Sequence, residues 1–440
     1  MALNRSTLFP DLQVGQSGRL AHTLTAPDLD VGARVPGQLM FNLLTGRFPG
    51  PGAEILAEEY RYDGTAAVGD QLEATANVRA LDADTATATF DCRVVNQRGD
   101  VLLDGSARVR PSKDSRQADD DGRGALFPRE GHVFPGLLQK CGGLPPVVTA
   151  VVHPCDRDSL VGPIQAAARG LIVPILVGPR EKIRAAADAA AVDIASFEIV
   201  DVRHSHAAAE QGAALVRAGR ASAVMKGSLH TDEFMGALFS SATGIRTDRR
   251  VSHIFVMDVP AYPRPLLITD AAINISPDLE TKRDIVQNAI DLAQIIGIAS
   301  PKVAMLSAVE TVTPKIPSTL DAAALCKMAD RGQIRGGVLD GPLAFDNAVS
   351  LLAAEIKGIV SPVAGRADIL VAPDMEAGNM IAKQLTYLAG ADIAGIVIGL
   401  RVPVALTSRA DNTQARLASC ALLSLVAAAG TQWQKHRLPE

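Results

Sequence analysis

The residues best equipped for chemistry lie where short apolar runs give way to polar ones. Ala221 to Met225 is apolar enough for a buried strand, and Lys226-Gly227-Ser228 breaks it. Ser228 or Thr231 can cap a following helix, and Asp232 and Glu233 favour its first turn. Phe234, Met235, Leu238 and Phe239 then recur at helical spacing. A strand passing through Lys-Gly into a helix start suits an anion. Gly227 admits a ligand to the backbone, free N–H groups point at it, and Lys226 adds a full charge. His230 and Thr231 lie in the same loop. From this pattern alone, a plain strand–loop–helix connection fits equally well. Neither the Gly-x-x-x-x-Gly-Lys-Ser/Thr nor the Gly-x-Gly-x-x-Gly nucleotide fingerprint is present.

Further candidates follow. Arg246, after Gly244, can fork onto a phosphate, whereas Arg249 and Arg250 read as solvated. Asp270, Asn274 and Ser276 follow the apolar run Leu266-Leu267-Ile268, at a strand end. Asp374, Glu376 and Asn379 follow another strand, with Lys383 on the helix beyond. The run Val404 to Thr407 delivers Ser408 and Arg409 to a strand edge, with Asp411 close behind. Lining a cleft and capping a helix are comparable readings for each. His153-Pro154-Cys155-Asp156 also follows a strand, and plain loop residues are the simpler reading there. His204 and His206 could chelate a metal, but no third ligand accompanies them, and helix capping by Ser205 is simpler. No metal site is expected.

The elements that must hold these residues are strands alternating with Ala-rich helices from His132 onward. Strands are expected at Pro146 to Val152, Ile172 to Val177, His253 to Met257, Val303 to Ser307, Gly337 to Leu339, Ile369 to Val371, Gly395 to Ile398 and Val404 to Thr407. Such alternation implies parallel sheet covered on both faces. About 300 residues exceeds one such core, so two α/β lobes with a cleft are expected.

Residues 1–110 have another texture. Gly37 to Leu44 suits one buried helix. Gln71 to Val78, Thr85 to Val95 and Val101 to Val109 suit an antiparallel meander, with turns at Leu81 to Asp84 and Asn96 to Asp100. Residues 111–131, with Asp119-Asp120-Asp121, read as a solvated linker.

Composition excludes several classes. The 440 residues are 48% hydrophobic and 21% charged, which suits a soluble globular chain. A net charge of −5 gives no support to a nucleic-acid partner. The five Cys form no Cys-x-x-Cys pair, so neither a zinc site nor a disulfide framework is expected. No run reaches the roughly 18 apolar residues of a membrane helix, and no secretory signal is apparent. A cytoplasmic chain with no membrane partner is expected.

The ordered set Met225-Lys226-Gly227-Ser228-Leu229-His230-Thr231, Gly244 to Thr247, Leu267 to Pro277 and Thr407-Ser408-Arg409-Ala410-Asp411 resembles the phosphate acetyltransferase and phosphate butyryltransferase family. The first and last of these motifs resemble the butyryl-type branch most. The resemblance covers about residues 132 to 430. It implies a two-lobed α/β fold of the isocitrate/isopropylmalate dehydrogenase-like kind. Lobe I would comprise 132–268 plus 407–440, and lobe II 269–406. The implied reaction is acyl-CoA plus phosphate giving acyl phosphate plus CoA, with a short acetyl or butyryl group. CoA and phosphate are substrates, no cofactor is required, and a homo-oligomer is expected. The resemblance also implies that Lys315, in the polar loop Glu310 to Pro317, and Asp346 lie along the cleft, and that Ser408 and Arg409 touch the acyl phosphate or phosphate. Acetyl-type relatives are implied to use an aspartate seven residues beyond that Ser, where this chain has Ala415. Asp411 is therefore a substitute base proposed from proximity.

Residues 1–110 resemble the MaoC-like hot-dog domain of (R)-specific enoyl-CoA hydratases, through Phe9 to Gln16, Pro49 to Gly52 and Val68 to Leu72. The family's Asp-x-Asn-Pro-x-His dyad is missing, and His22 lies too early to replace it. Hydration needs an acid/base pair, so an inactive, structural domain is expected. Two other readings stand: a bifunctional enzyme that keeps hydratase activity, and a non-catalytic CoA-ester or acyl-phosphate sensor.

Overall fold

The computed structural model describes residues 7–24, 35–67, 69–113, 133–408 and 411–430. The chain divides into two compact units, residues 1–130 and 131–440. The expected linker lies almost wholly outside the described residues.

In the first unit, a five-stranded antiparallel sheet wraps one helix. Its strands are β1 (Ser17–Thr23), β2 (Glu54–Tyr62), β3 (Gln71–Asp82), β4 (Thr87–Asn96) and β5 (Val101–Arg110), in the order β1-β3-β4-β5-β2. Helix α1 (Val35–Gly46) buries Val35, Leu39, Met40, Leu43 and Leu44, one stripe at helical spacing. Leu72, Ala74, Ala76 and Val78 of β3 and Ala88, Phe90, Cys92 and Val94 of β4 alternate inward against it. This is the hot-dog arrangement expected from the sequence. The two turns also form where expected. Asp82 accepts the N–H groups of Asp84 and Thr85, and Asn96 those of Arg98 and Asp100. Edge strands β1 and β2 were not foreseen, because none of their side chains is buried and they carry little apolar signal.

The second unit is built on one eleven-stranded sheet. The strands are β6 (Val147–Val152), β7 (Ile172–Gly178), β8 (Glu198–Asp201), β9 (Ala223–Lys226), β10 (Ser252–Asp258), β11 (Leu266–Thr269), β12 (Lys302–Leu306), β13 (Val338–Leu343), β14 (Ile369–Val371), β15 (Asp392–Ile398) and β16 (Val404–Ala405). Their order is β13-β12-β14-β11-β10-β15-β16-β9-β6-β7-β8. Parallel pairing holds at both ends, through β16, β9, β6, β7 and β8 and through β13, β12, β14 and β11. Antiparallel β10 and β15 join the two sets in the middle. The parallel strands match the sequence reading, but their fusion through these two strands into one sheet does not follow from alternation of strands and helices.

Eleven helices accompany this sheet among the described residues. Helix α2 (Val133–Lys140) precedes β6, and α3 (Arg157–Ala168) follows it. Asp156 starts α3 in a reciprocal capping box with Ser159. Next come α4 (Arg180–Ala190), α5 (Ser205–Arg217), α6 (Thr231–Phe239) and α7 (Leu279–Ile295). Then follow α8 (Pro317–Asp330), α9 (Phe345–Val349), α10 (Leu351–Ile356), α11 (Met375–Leu388) and α12 (Thr413–Ala429). Every residue of α12 from Ala415 to Val426 is buried, so this helix is a core element rather than an amphipathic one.

Candidate active site

A cavity of about 330 Å³ opens at the middle of the sheet, where β9 and β16 approach β10. The last residue of β9 is Lys226, and Leu406, Thr407 and Ser408 follow β16. His230, Thr231 and Asp232 enter from the start of α6, His253 and Phe255 from β10, and Asn379 and Lys383 from α11. Asn379 and Lys383 are one helical turn apart, so both reach the same side.

Lys226 is only 2% exposed, and its ammonium donates to the Thr407 carbonyl at 3.4 Å. Ser408 is exposed. Its N–H donates to the Asp411 carboxylate at 2.6 Å. Burial pushes the Asp411 carboxyl upward, while the Ser408 N–H and the charges of Arg416, Lys226 and Lys383 pull it back. In this arrangement the carboxylate, with its raised pKa, can accept a proton, the exposed hydroxyl can donate to an oxyanion, and Lys226 and Lys383 can hold a phosphate.

The Lys226 loop differs from expectation in two respects. The Gly227 and Ser228 N–H groups donate to the carbonyls of Val152 and His153, at 2.8 Å each, so they do not point at a ligand. A Cβ on Gly227 would lie 2.5 Å from the Val152 oxygen. Glycine is required there for the close approach of the β6 end, not of an anion. Neither Ser228 nor Thr231 caps α6; His230 occupies the cap position, without a side-chain cap bond. Asp232 and Glu233 do stand in its first turn, and Glu233 accepts from Ser205 of α5 at 2.6 Å. His204, not Ser205, caps α5, by accepting the Ala207 N–H. No group of His, Cys, Asp and Glu among the described residues could hold a metal ion.

Of the other candidates, Asp270 and Asn274 stand behind the wall rather than in it. The Asp270 carboxylate accepts from the N–H groups of His253, Ala272 and Ile273 and from the Asn274 amide. Burial pushes this carboxyl up against those four donors. Its geometry fixes the loop after β11, so it is a buttress for His253 and Ala272. Asp346 and Glu310 share Lys357 as an ion-pair partner, away from the cavity lining. Lys315 is exposed in the loop before α8, and Arg246 is exposed, its backbone bridged to Leu400. Neither lines the cavity. Arg409 lies outside the described residues.

Two site residues were missed. His253 was read only as part of a strand. It is fully buried, its ring edge meets Phe255 with centroids 4.3 Å apart, and neither ring nitrogen makes a hydrogen bond. Burial lowers its pKa to about 3, although the nearby Leu406 carbonyl works the other way. Arg416 was not singled out in the sequence at all. It is 1% exposed and donates from Nη1 to Thr407 Oγ1 at 2.9 Å and from Nη2 to the Ser408 carbonyl at 3.0 Å. A charged residue in an otherwise buried helix was the available signal.

Cations, a hydroxyl and a raised carboxylate at the centre of a mostly parallel α/β sheet define a group-transfer site for anionic substrates. Residues 205–423 match the family model described as phosphate acetyl/butaryl transferase. A phosphate acetyltransferase of Rhizobium meliloti is 62% identical over 302 residues, which cover 69% of this chain and 96% of that protein. A phosphate butyryltransferase of Clostridium acetobutylicum is 44% identical, over 63% of this chain and 92% of that protein. A branched-chain phosphotransacylase from Enterococcus faecalis V583 superposes with a TM-score of 0.55 at 28% identity, covering 64% of this chain and 99% of that one. The chain belongs to the phosphate acetyl/butyryl transferase family. It is a phosphate acyltransferase, exchanging CoA for phosphate on a short acyl group.

Proposed function

We propose that the Lys226–Ser408 cavity is where the acyl group changes hands, and that the group is acetyl. The observation that carries the site is the convergence of Lys226, Lys383, Ser408 and the Asp411 carboxylate. In the direction of acyl-CoA synthesis, the CoA sulfur attacks the carbonyl carbon of the acyl phosphate. Asp411 takes the thiol proton as the C–S bond forms. Ser408 donates to the tetrahedral oxyanion. The C–O bond to phosphate then breaks, and phosphate leaves toward Lys226, with Arg409 assigned to the same phosphate by the family resemblance alone. The name of the 62% identical relative supports acetyl, although the two motifs resemble the butyryl branch. Arg246 and Lys315, outside the cavity, suit the CoA phosphates, because CoA is too large for a cavity of this volume.

The remaining expectations stand as parts of the same proposal. The enzyme uses acyl-CoA, CoA, phosphate and acyl phosphate without a metal or cofactor, in the cytoplasm and as a homo-oligomer. Among the described residues, no helix is long and apolar enough to cross a membrane. The exposed apolar side chains Ile356, Val360, Tyr387 and Leu388 favour contact with a second copy. A division into two lobes is supported by the oppositely running parallel sets on either side of β10 and β15, but β11 groups with β14 and β16 with β9, so the expected boundaries at 268/269 and 406/407 move to before Leu266 and before Val404. The hot-dog unit is proposed to be structural, because the hydratase dyad is missing.

Steady-state rates of thiol release from acetyl-CoA and butyryl-CoA, with and without phosphate, test this reading. Higher kcat/KM for acetyl-CoA is expected, and Lys226→Met should raise KM for phosphate. Preference for butyryl-CoA would overturn the acyl assignment, and an unchanged KM would remove Lys226 from the site.

A further inference from the structure

Arg416 is an unusual residue to find in α12. The residue is 1% exposed, its Nε makes no hydrogen bond, and the helix around it is buried from Ala415 to Val426. A buried charge left partly unpaired is costly, and an apolar side chain of similar volume generally serves stability at least as well. The chain nevertheless makes room for it. A Cβ on Gly162 of α3 would sit 2.7 Å from the Arg416 Cβ. The two nitrogens that are satisfied both bind the segment bearing Ser408, through Thr407 Oγ1 and the Ser408 carbonyl. Lys226 donates to the Thr407 carbonyl, and Asp411 closes the same segment by accepting the Ser408 N–H.

We propose that Arg416 is a positioning residue for acyl transfer: it clamps the Thr407–Ser408 segment from behind and holds the Asp411 carboxylate in its ionised form. This rests on the assignment of Ser408 and Asp411 to the reaction. Asp411 is faced by Arg416 of α12, Lys226 of β9 and Lys383 of α11. Arg416 itself is faced by Asp411, by Asp156 and Asp158 at the start of α3, and by Cys420 one turn along α12. Each cation near Asp411 opposes the upward push of burial, so the carboxylate stays available as a base lower in the pH range.

The test uses the full chain with Arg416→Met and Arg416→Lys, compared with Ser408→Ala and Asp411→Asn. In Arg416→Met, kcat in the direction of acyl-CoA synthesis should fall by about 10²-fold, because a catalytic group displaced by about 1 Å costs that much. KM for CoA should stay near its original value. The acid limb of the kcat–pH profile should move up by about one unit, since the cation no longer favours the carboxylate. Arg416→Lys should return the limb to its original position, while kcat stays low because an ammonium cannot make the two-pronged contact. A lowered kcat with an unmoved limb would reduce Arg416 to a packing role and overturn the proposal, as would an unchanged kcat. Should the Met variant not fold, a Lys variant with the original kcat would overturn it equally. Loss of the acid limb in Asp411→Asn separates these failures from a wrong base: if that limb persists, the Asp411 assignment fails first.

Discussion

Ser408 and Asp411 were both singled out in the sequence, and the structure brings them into direct contact. The Asp411 carboxylate reaches back to the Ser408 N–H, so one short turn carries both the hydroxyl and the proposed base. Burial raises the Asp411 pKa, and a base must be deprotonated to take the thiol proton. Activity in the thiol-attack direction should therefore fall as pH drops through that raised pKa, and Asp411→Asn should abolish the acid limb. A profile of kcat against pH checks this, and retention of the limb would move attention to another base. Arg246→Ala should raise KM for CoA esters with little change in kcat, as expected for uniform binding of a remote group. Unchanged kinetics would leave Arg246 a surface residue. Gly227 shows where residue-level reading stopped. Its presence beside Lys226 suggested ligand approach, but the close approach is made by the carbonyls of Val152 and His153. Spacing alone cannot say which backbone a glycine admits.

At the scale of elements, β10 carries the least expected feature. His253 was buried in a run that read as an ordinary apolar strand, and its ring lies within 3.1 Å of where a Cβ on Gly395 would be. Burial lowers its pKa to about 3, against about 6.5 in the unfolded chain. The unfolded chain thus binds more protons between these values, and stability must decline as pH falls from 6.5 toward 3. The contribution has a slope of up to about 1.4 kcal/mol per pH unit. Denaturant unfolding of His253→Leu across this range should show a shallower acid loss than the original chain; equal slopes would mean that His253 is protonated in the fold or partnered by water. Strand–helix alternation was readable because parallel sheets need crossover helices. The antiparallel entry of β10 and β15 was not, because the direction of a strand depends on where the chain re-enters the sheet.

At the scale of the whole molecule, the two textures of the sequence correspond to two compact units. The hot-dog unit was legible through α1 and the inward alternation of β3 and β4, while its exposed edge strands left little apolar signal. Deleting residues 1–110 should change the assembly state in sedimentation more than it changes kcat for acyl transfer. Loss of transfer with unchanged assembly would contradict a structural role, and crotonyl-CoA hydration by the full chain above background would restore a catalytic one. Acyl transfer to phosphate at the Ser408 turn is tested most directly by the phosphate-dependent turnover of acetyl-CoA by Ser408→Ala. Losing one oxyanion donor costs about 10²–10³ in kcat, so turnover should fall by that factor with KM for acetyl-CoA nearly unchanged. Turnover at the level of the original chain would contradict the assignment of the reaction to this site.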